Sequence, residues 1–267
     1  MLAGMMLAAG DGFDVSAVRC AEACRGFDAP EETTGHALVF VRRGAFVRRT
    51  AGREVLLDST VAYLAVPGEE SQCAHPVGAG DACIVIGLSP DLAAVLAGGE
   101  PCSLPAVPMD AASEFAVRRA ASLARRADID GELAEQVVGT VAALVARGRP
   151  DGTGGGSPRR GPAAGERLAG QAREFLLAEP GLGVIELARR VSCSPHYLSR
   201  VFGQVTGSSI SGYRNRVRVS RALDRISGGE RSLAGLAHEL GFADHAHLTR
   251  TIRAVTGHTP TACRGLL

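Results

Sequence analysis

The stretch Leu236-Ala237-His238-Glu239-Leu240-Gly241-Phe242-Ala243-Asp244-His245-Ala246-His247-Leu248-Thr249-Arg250-Thr251-Ile252, closing at Val255-Thr256-Gly257, decides the fold of the C-terminal part of the chain. It repeats a pattern first written in Leu187-Ala188-Arg189-Arg190-Val191, a short turn, and Ser194-Pro195-His196-Tyr197-Leu198-Ser199-Arg200-Val201-Phe202, closing at Val205-Thr206-Gly207. Ser194 falls on Asp244, an offset of 50; Leu187 falls on Leu236, an offset of 49, because the second turn is one residue longer. Each copy reads as helix, tight turn, helix. The Leu-Ala pair followed by Val191 or Leu240 has the helical spacing of a buried face. Ser194 and Asp244 are good N-caps, and Pro195 sits at the favoured first helical position. Gly207 and Gly257 fit C-cap glycines. Leu198 with Phe202, and Leu248 with Ile252, are i,i+4 pairs that turn the second helix of each copy onto a core.

The opposite face carries His196, Ser199 and Arg200 in one copy and His245, Thr249 and Arg250 in the other. These side chains donate and accept hydrogen bonds at the spacing needed to read base edges in a major groove, with Arg bidentate to guanine as the strongest contact. Two such units imply two successive half-sites about one helical turn apart on double-stranded DNA. Between them, Ile210 to Ile226 reads as one long helix with Tyr213, Val217 and Leu223 on its apolar side. Arg214 and Arg218 on that helix are candidate phosphate contacts, beside Arg216, Arg221 and Arg225.

The stretch from Ala169 to the end resembles the DNA-binding domain of the AraC/XylS family of bacterial transcription regulators. The resemblance rests on Leu233-x2-Leu236-Ala237-x2-Leu240-Gly241-Phe242-x-Asp244-x3-Leu248-x-Arg250 and on Gly257-x-Thr259-Pro260-x3-Arg264. Leu248, Ile252 and Cys263 stand where that family usually has an aromatic, and Ala246 where it often has Ser. The resemblance implies a sequence-specific regulator, a homodimer, and RNA polymerase as a partner if it activates.

Charge divides the chain in the same place. The formal net charge is only +1, but from Ser157 on there are 16 Arg against 8 acidic residues, and before it 13 Arg against 20. A basic half is the electrostatic footprint of phosphate binding. Every Lys/Arg position is Arg, alongside abundant Ala and Gly, a composition that points to coding bias more than to function. The 267 residues suggest two domains. Seven scattered cysteines, no signal-peptide pattern and no apolar run of membrane-spanning length fit a cytoplasmic, reduced protein with no membrane partner.

Residues 14 to 90 read as β-structure. His36 to Val41, Ala45 to Arg49, Glu54 to Leu57, Val61 to Val66 and Ala82 to Leu88 are strand-like, with turns at Arg42-Arg43-Gly44, Ala51-Gly52-Arg53 and Pro67-Gly68. Short strands with close turn signals indicate a sandwich or small barrel. The order Gly44, Gly52, Pro67-Gly68, His75 resembles the cupin-like sensor domain that precedes many AraC-type domains, which implies an effector. Helices are expected from Pro90 to Leu96, Asp110 to Arg126 and Asp130 to Arg147; the last two are amphipathic and either pack on the sandwich or form a dimer surface. Gly148 to Gly165 reads as a flexible linker. The expected organisation is therefore multidomain: an all-β cupin-like sandwich followed by helices over 1–147, a linker over 148–165, and an all-α domain with two helix-turn-helix units over 166–267.

Cys20-x3-Cys24, Cys73-x-His75 and Cys83 offer soft ligands in the first domain. Cys20, His75 and Cys83 would suit zinc if the sandwich brings His75 and Cys83 together across a hairpin, giving a metal- or thiol-responsive regulator as the alternative function. The competing reading is that scattered cysteines are buried apolar residues. His36 and His75 are the only His before residue 196, so the His-x-His, Glu and further His of cupin-type metal enzymes are absent. No nucleophile motif, phosphate loop or dinucleotide fingerprint occurs, and the expectation is a protein that is not an enzyme.

Overall fold

The computed structural model describes residues 2–21, 26–77, 80–99, 104–126, 131–148 and 163–267. Cys24 and most of the expected linker, residues 149–162, lie outside the described residues. The chain forms two compact units, Met1–Gly152 together with Thr261–Leu267, and Thr153–Pro260.

The first unit holds strands β1 (Leu2–Gly10), β2 (Phe13–Cys20), β3 (Glu31–Glu32), β4 (His36–Gly44), β5 (Phe46–Thr50), β6 (Arg53–Leu57), β7 (Val61–Ala65), β8 (Glu70–Ala74) and β9 (Asp81–Leu88). Helix α1 (Pro90–Leu96), strand β10 (Leu104–Pro108) and helices α2 (Ala111–Arg125) and α3 (Gly131–Gly148) follow. The strands make two antiparallel sheets, ordered β1-β2-β9-β4-β7-β10 and β3-β8-β5-β6. The first unit is thus the expected β-sandwich followed by helices.

The central strands show why. Leu38-Val39-Phe40-Val41 and Cys83-Ile84-Val85-Ile86 are continuous apolar runs, as expected of strands covered on both faces. Side chains alternate along a strand, and the structure sorts them. Leu38, Phe40, Ile84 and Ile86 pack with Val117, Ala121, Val137 and Leu144 of α2 and α3. Val39, Val41, Cys83 and Val85 pack with Phe46 and Leu57 of the other sheet. The apolar stripes of α2 and α3 are therefore consumed by the larger sheet.

Two connections differ from their expected form. Arg42-Arg43-Gly44, expected as a turn, completes β4, with a bulge between Val41 and Arg43. A bulge bends a strand, and the chain then enters β5 in the other sheet. His75 and Cys83, expected to flank a hairpin, flank a sheet-to-sheet crossing. β8 pairs with β3 and β5, while β9 pairs with β2 and β4.

The second unit contains α4 (Ala163–Ala178), α5 (Val184–Arg190), α6 (Pro195–Thr206), α7 (Ile210–Ser227), α8 (Leu233–Glu239) and α9 (His245–Thr256). Pro260 opens a further short helix, α10 (Pro260–Leu266), and the residues from Thr261 group with the first unit. In the first turn Ser192 has φ of 55°, and in the second Gly241 has φ of 73°. Those two positions match at the offset of 49. The sharp reversal between the helices thus needs a left-handed residue, which Gly adopts at no steric cost and Ser does not.

Candidate nucleic-acid interface and a buried Cys-His-Asp cluster

The second helix of each repeat, α6 and α9, is fixed at its ends and along one side. Ser194 Oγ accepts the Tyr197 N–H at 3.2 Å, and Asp244 Oδ1 accepts the His247 N–H at 2.6 Å. Gly207 and Gly257 close the helices in the left-handed conformation. Leu198, Phe202, Leu248 and Ile252 are fully buried. What remains is one free face on each. On α6 it presents His196, Ser199 and Arg200, all exposed. On α9 His245 and Arg250 are exposed, and Thr249 is half-buried with its Oγ1 3.4 Å from His245 Nε2.

Tyr197 belongs to this surface although its sequence context marks it only as a helical neighbour. It is 42% exposed, and the Arg200 guanidinium lies 5.3 Å from its ring centroid. The matching residue of the second copy, His247, is spent internally. Its ring packs edge-on against Phe242 at 5.4 Å, and its Nδ1 accepts the Ala243 N–H at 3.3 Å. An unpaired exposed aromatic beside an Arg was the available signal.

The arginines of α7 divide. Arg214 Nη1 donates to the Leu182 carbonyl at 3.1 Å, and Arg221 donates to the Leu177 carbonyl. Arg225 pairs with Glu239 at 2.9 Å and Glu230 at 2.6 Å. Arg218 is half-buried against the second turn, where a Cβ on Gly241 would come within 3.0 Å of its Nη2. Burial lowers the Arg218 pKa, and the Arg214 charge adds to the effect. Arg214 thus ties α7 to the Leu182 carbonyl, and Arg218 lies beside the second turn.

In the first unit, β-pairing sets Cys20 opposite Asp81, and Val18 opposite Cys83. Asp81 and Cys83 are two residues apart on β9 and so share a face. His75 follows β8 of the other sheet. Its Nε2 shares a 2.7 Å hydrogen bond with Asp81 Oδ1, and the Cys83 thiol donates to Asp81 Oδ2 at 3.0 Å. Ligand atoms of Cys20, His75 and Asp81 all lie within 4.8 Å of one another. The structure therefore brings Cys20 and His75 together, but the third member at that spacing is Asp81, with Cys83 one step behind it. Burial pushes the Cys83 thiol well above its ordinary pKa, and the Asp81 charge pushes it further. Burial likewise takes Cys73 up to about 12, with Asp28 adding to it.

A separate pocket of about 400 Å³ opens among His36, Leu64, Leu88, Ala93, Leu96 and Val145. Its size lies in the range of small-molecule sites.

Residues 187–265 match the family model described as "Helix-turn-helix domain". The chain is 30% identical over 88 residues to the arabinose operon regulatory protein of Escherichia coli (strain K12), covering 33% of this chain and 30% of that protein. It is 25% identical over 123 residues to the regulatory protein PocR of Salmonella typhimurium, covering 45% of this chain and 41% of that protein. It thus spans well under half the length of these curated relatives. Among solved structures, ToxT from Vibrio cholerae O395 aligns over 97% of this chain and 99% of its own, at 11% identity and a TM-score of 0.38.

Proposed function

We propose that the C-terminal domain is a DNA-binding domain of the AraC/XylS type, a reading supported by its match to the helix-turn-helix model and its 30% identity over 88 residues to the arabinose regulator, and that its two helix-turn-helix units read successive half-sites of one operator while the N-terminal unit senses an effector. The family points to a regulator and not to an enzyme. The observation that carries the reading is the repeated frame of α6 and α9. Each is capped at both ends and buried along one side, so a short polar face is the part left to meet DNA. His196, Ser199, Arg200, His245, Thr249 and Arg250 are the proposed readers. Rigid presentation matters because specificity requires that hydrogen-bond donors meet base edges without first being ordered.

Ligand binding in the first unit would favour one of two arrangements with different access to the operator, and the operator would in turn favour the liganded arrangement. Two copies bound side by side extend the recognised sequence, and an activating copy also touches RNA polymerase. Selection of bound sequences from a random duplex pool by the full chain tests the central claim. Two short motifs about one helical turn apart are expected. Affinity that falls steeply with salt but shows no sequence preference would overturn it, since phosphate contacts alone behave that way.

A further inference from the structure

We infer that Cys20, His75 and Asp81 form a site for one zinc ion, with Cys83 positioning the Asp81 carboxylate. This goes beyond the DNA reading and stands independently of it.

The donor set comes first. A thiol, an imidazole and a carboxylate converge with all ligand atoms within 4.8 Å. Around a tetrahedral zinc, bond lengths of 2.0–2.3 Å place neighbouring ligand atoms about 3.3–3.8 Å apart. His75 Nε2 and Asp81 Oδ1, now 2.7 Å apart, need only separate by a fraction of an ångström. Cys20 needs only a side-chain adjustment to close in. Sulfur beside nitrogen favours zinc over magnesium or calcium, which prefer oxygen alone.

The backbone comes second. Cys20 and Asp81 are register partners on β2 and β9, so their spacing is set by the sheet ladder. Next to them Gly80 has φ of 65°, and a Cβ there would sit 2.2 Å from the Cys20 carbonyl oxygen. Only glycine lets the strand entrance approach Cys20 so closely. His75 comes from the opposite sheet, so an ion here would tie the two layers of the sandwich together.

The surroundings come third. Cys83 donates to the carboxylate oxygen that faces away from His75, leaving Oδ1 turned toward the imidazole. Such outer contacts orient ligands at metal centres. Phe46 lies 6.2 Å from the His75 ring and forms an apolar wall. Arg48, a buried cation on β5, is paired with Glu69 at 2.8 Å. Cys20 is half-exposed, which gives an ion a path in. A disulfide fits less well: Cys20 faces Asp81 in the register, and Cys83 is its diagonal neighbour.

On binding, the Cys20 S–H bond breaks, a sulfur–metal bond forms and the proton passes to solvent. The His75–Asp81 hydrogen bond is replaced by bonds from both residues to the ion; the imidazole ligates as its neutral Nδ1–H tautomer, the proton leaving Nε2 and one being taken up at Nδ1 by exchange with solvent. Affinity therefore rises with pH.

The test uses the full chain, purified without chelator, freed of metal and titrated with Co(II) and then Zn(II). One equivalent should bind, and Co(II) should give a thiolate charge-transfer band in the near ultraviolet that Zn(II) abolishes. C20S should lose the band, and H75A and D81N should weaken binding at least tenfold. C83A should keep the band while weakening binding about 10–100-fold, the effect of an outer-shell contact. C193S should match the unaltered protein. Zn(II) should raise the melting temperature of the unaltered protein and leave that of C20S unmoved, with the two metal-free proteins melting alike as the control for folding. Absence of the band, or its persistence in C20S, would overturn the site. If C20S fails to fold, the band in the unaltered protein, its persistence in C83A and the weaker binding of C83A decide the matter alone. None of these readouts involves DNA, so failure here leaves the operator reading intact.

Discussion

The two helix-turn-helix units share a frame and differ in their free faces. Leu198 and Leu248, and then Phe202 and Ile252, are buried alike, and Gly207 and Gly257 close both helices in the same conformation. The surfaces diverge. The first copy shows an exposed Tyr197 under Arg200, whereas the second turns His247 inward onto Phe242 and leaves Arg250 without a hydrogen-bond partner among the described residues. Repetition has kept what folding requires and released what recognition uses. On the proposed reading, two units with different faces would recognise two different half-sites, so the operator should be asymmetric within one chain's footprint.

The largest expected effect tests the shared frame. Phe202→Ala should cost about 3–5 kcal/mol and Ile252→Ala about 2–5 kcal/mol, by lost burial and the cavity left behind. Denaturant titration followed by circular dichroism of the full chain reads both. An Ile252→Ala protein as stable as its parent would show that the second unit is not packed like the first.

Next come the faces themselves. Arg200→Ala and Arg250→Ala should each weaken specific binding by about 1–3 kcal/mol and relax one operator position. Fluorescence anisotropy on operators varied base by base would show it. The relaxed positions should lie in different half-sites. A uniform loss across all sequences would instead reassign that Arg to phosphate.

This division also explains what was legible in the sequence. The C-terminal frame is written locally, in caps, in i,i+4 apolar pairs and in a repeat, so its helices could be read without knowing the fold. The first unit depends on distant pairings. β1 is rich in Ala, Gly and Met and lacks alternation, and it becomes a strand by pairing along β2. β10 contains two prolines, which argue against a central strand; it lies at the sheet edge, where an unpaired side tolerates them. Cys20 and His75 were visible as soft ligands. Asp81 was not, because a lone Asp before an apolar run reads as a strand boundary, and only the β2–β9 register sets it opposite Cys20.

The turns should respond in opposite directions. Ser192→Gly removes left-handed strain of about 1–2 kcal/mol but adds unfolded-state freedom of about 0.4–1 kcal/mol, so the net gain is about 0.5 kcal/mol. Gly241→Ala reverses both terms and presses a methyl toward Arg218, for a net loss of about 1 kcal/mol or more. Thermal melts of the two proteins side by side decide it. A shift in the same direction for both would mean the turns are not equivalent.

The smallest effect separates the two N-caps. Ser194 is neutral and Asp244 charged, yet both accept the same backbone hydrogen bond. Asp244→Asn keeps that acceptor and removes only the charge. The carboxylate sits at the positive end of the α9 dipole, so its loss should cost about 0.3–1 kcal/mol of stability. The same charge repels phosphate, so nonspecific DNA affinity should rise as stability falls, and the gain should shrink as salt is added. Ser194→Asn swaps one neutral acceptor for another and should move neither quantity by a comparable amount. If Asp244→Asn lowers nonspecific affinity, the cap is ordering the helix for DNA more than it is repelling it, and the first turn of α9 would have to be close to the phosphate backbone only when the cap is charged and intact.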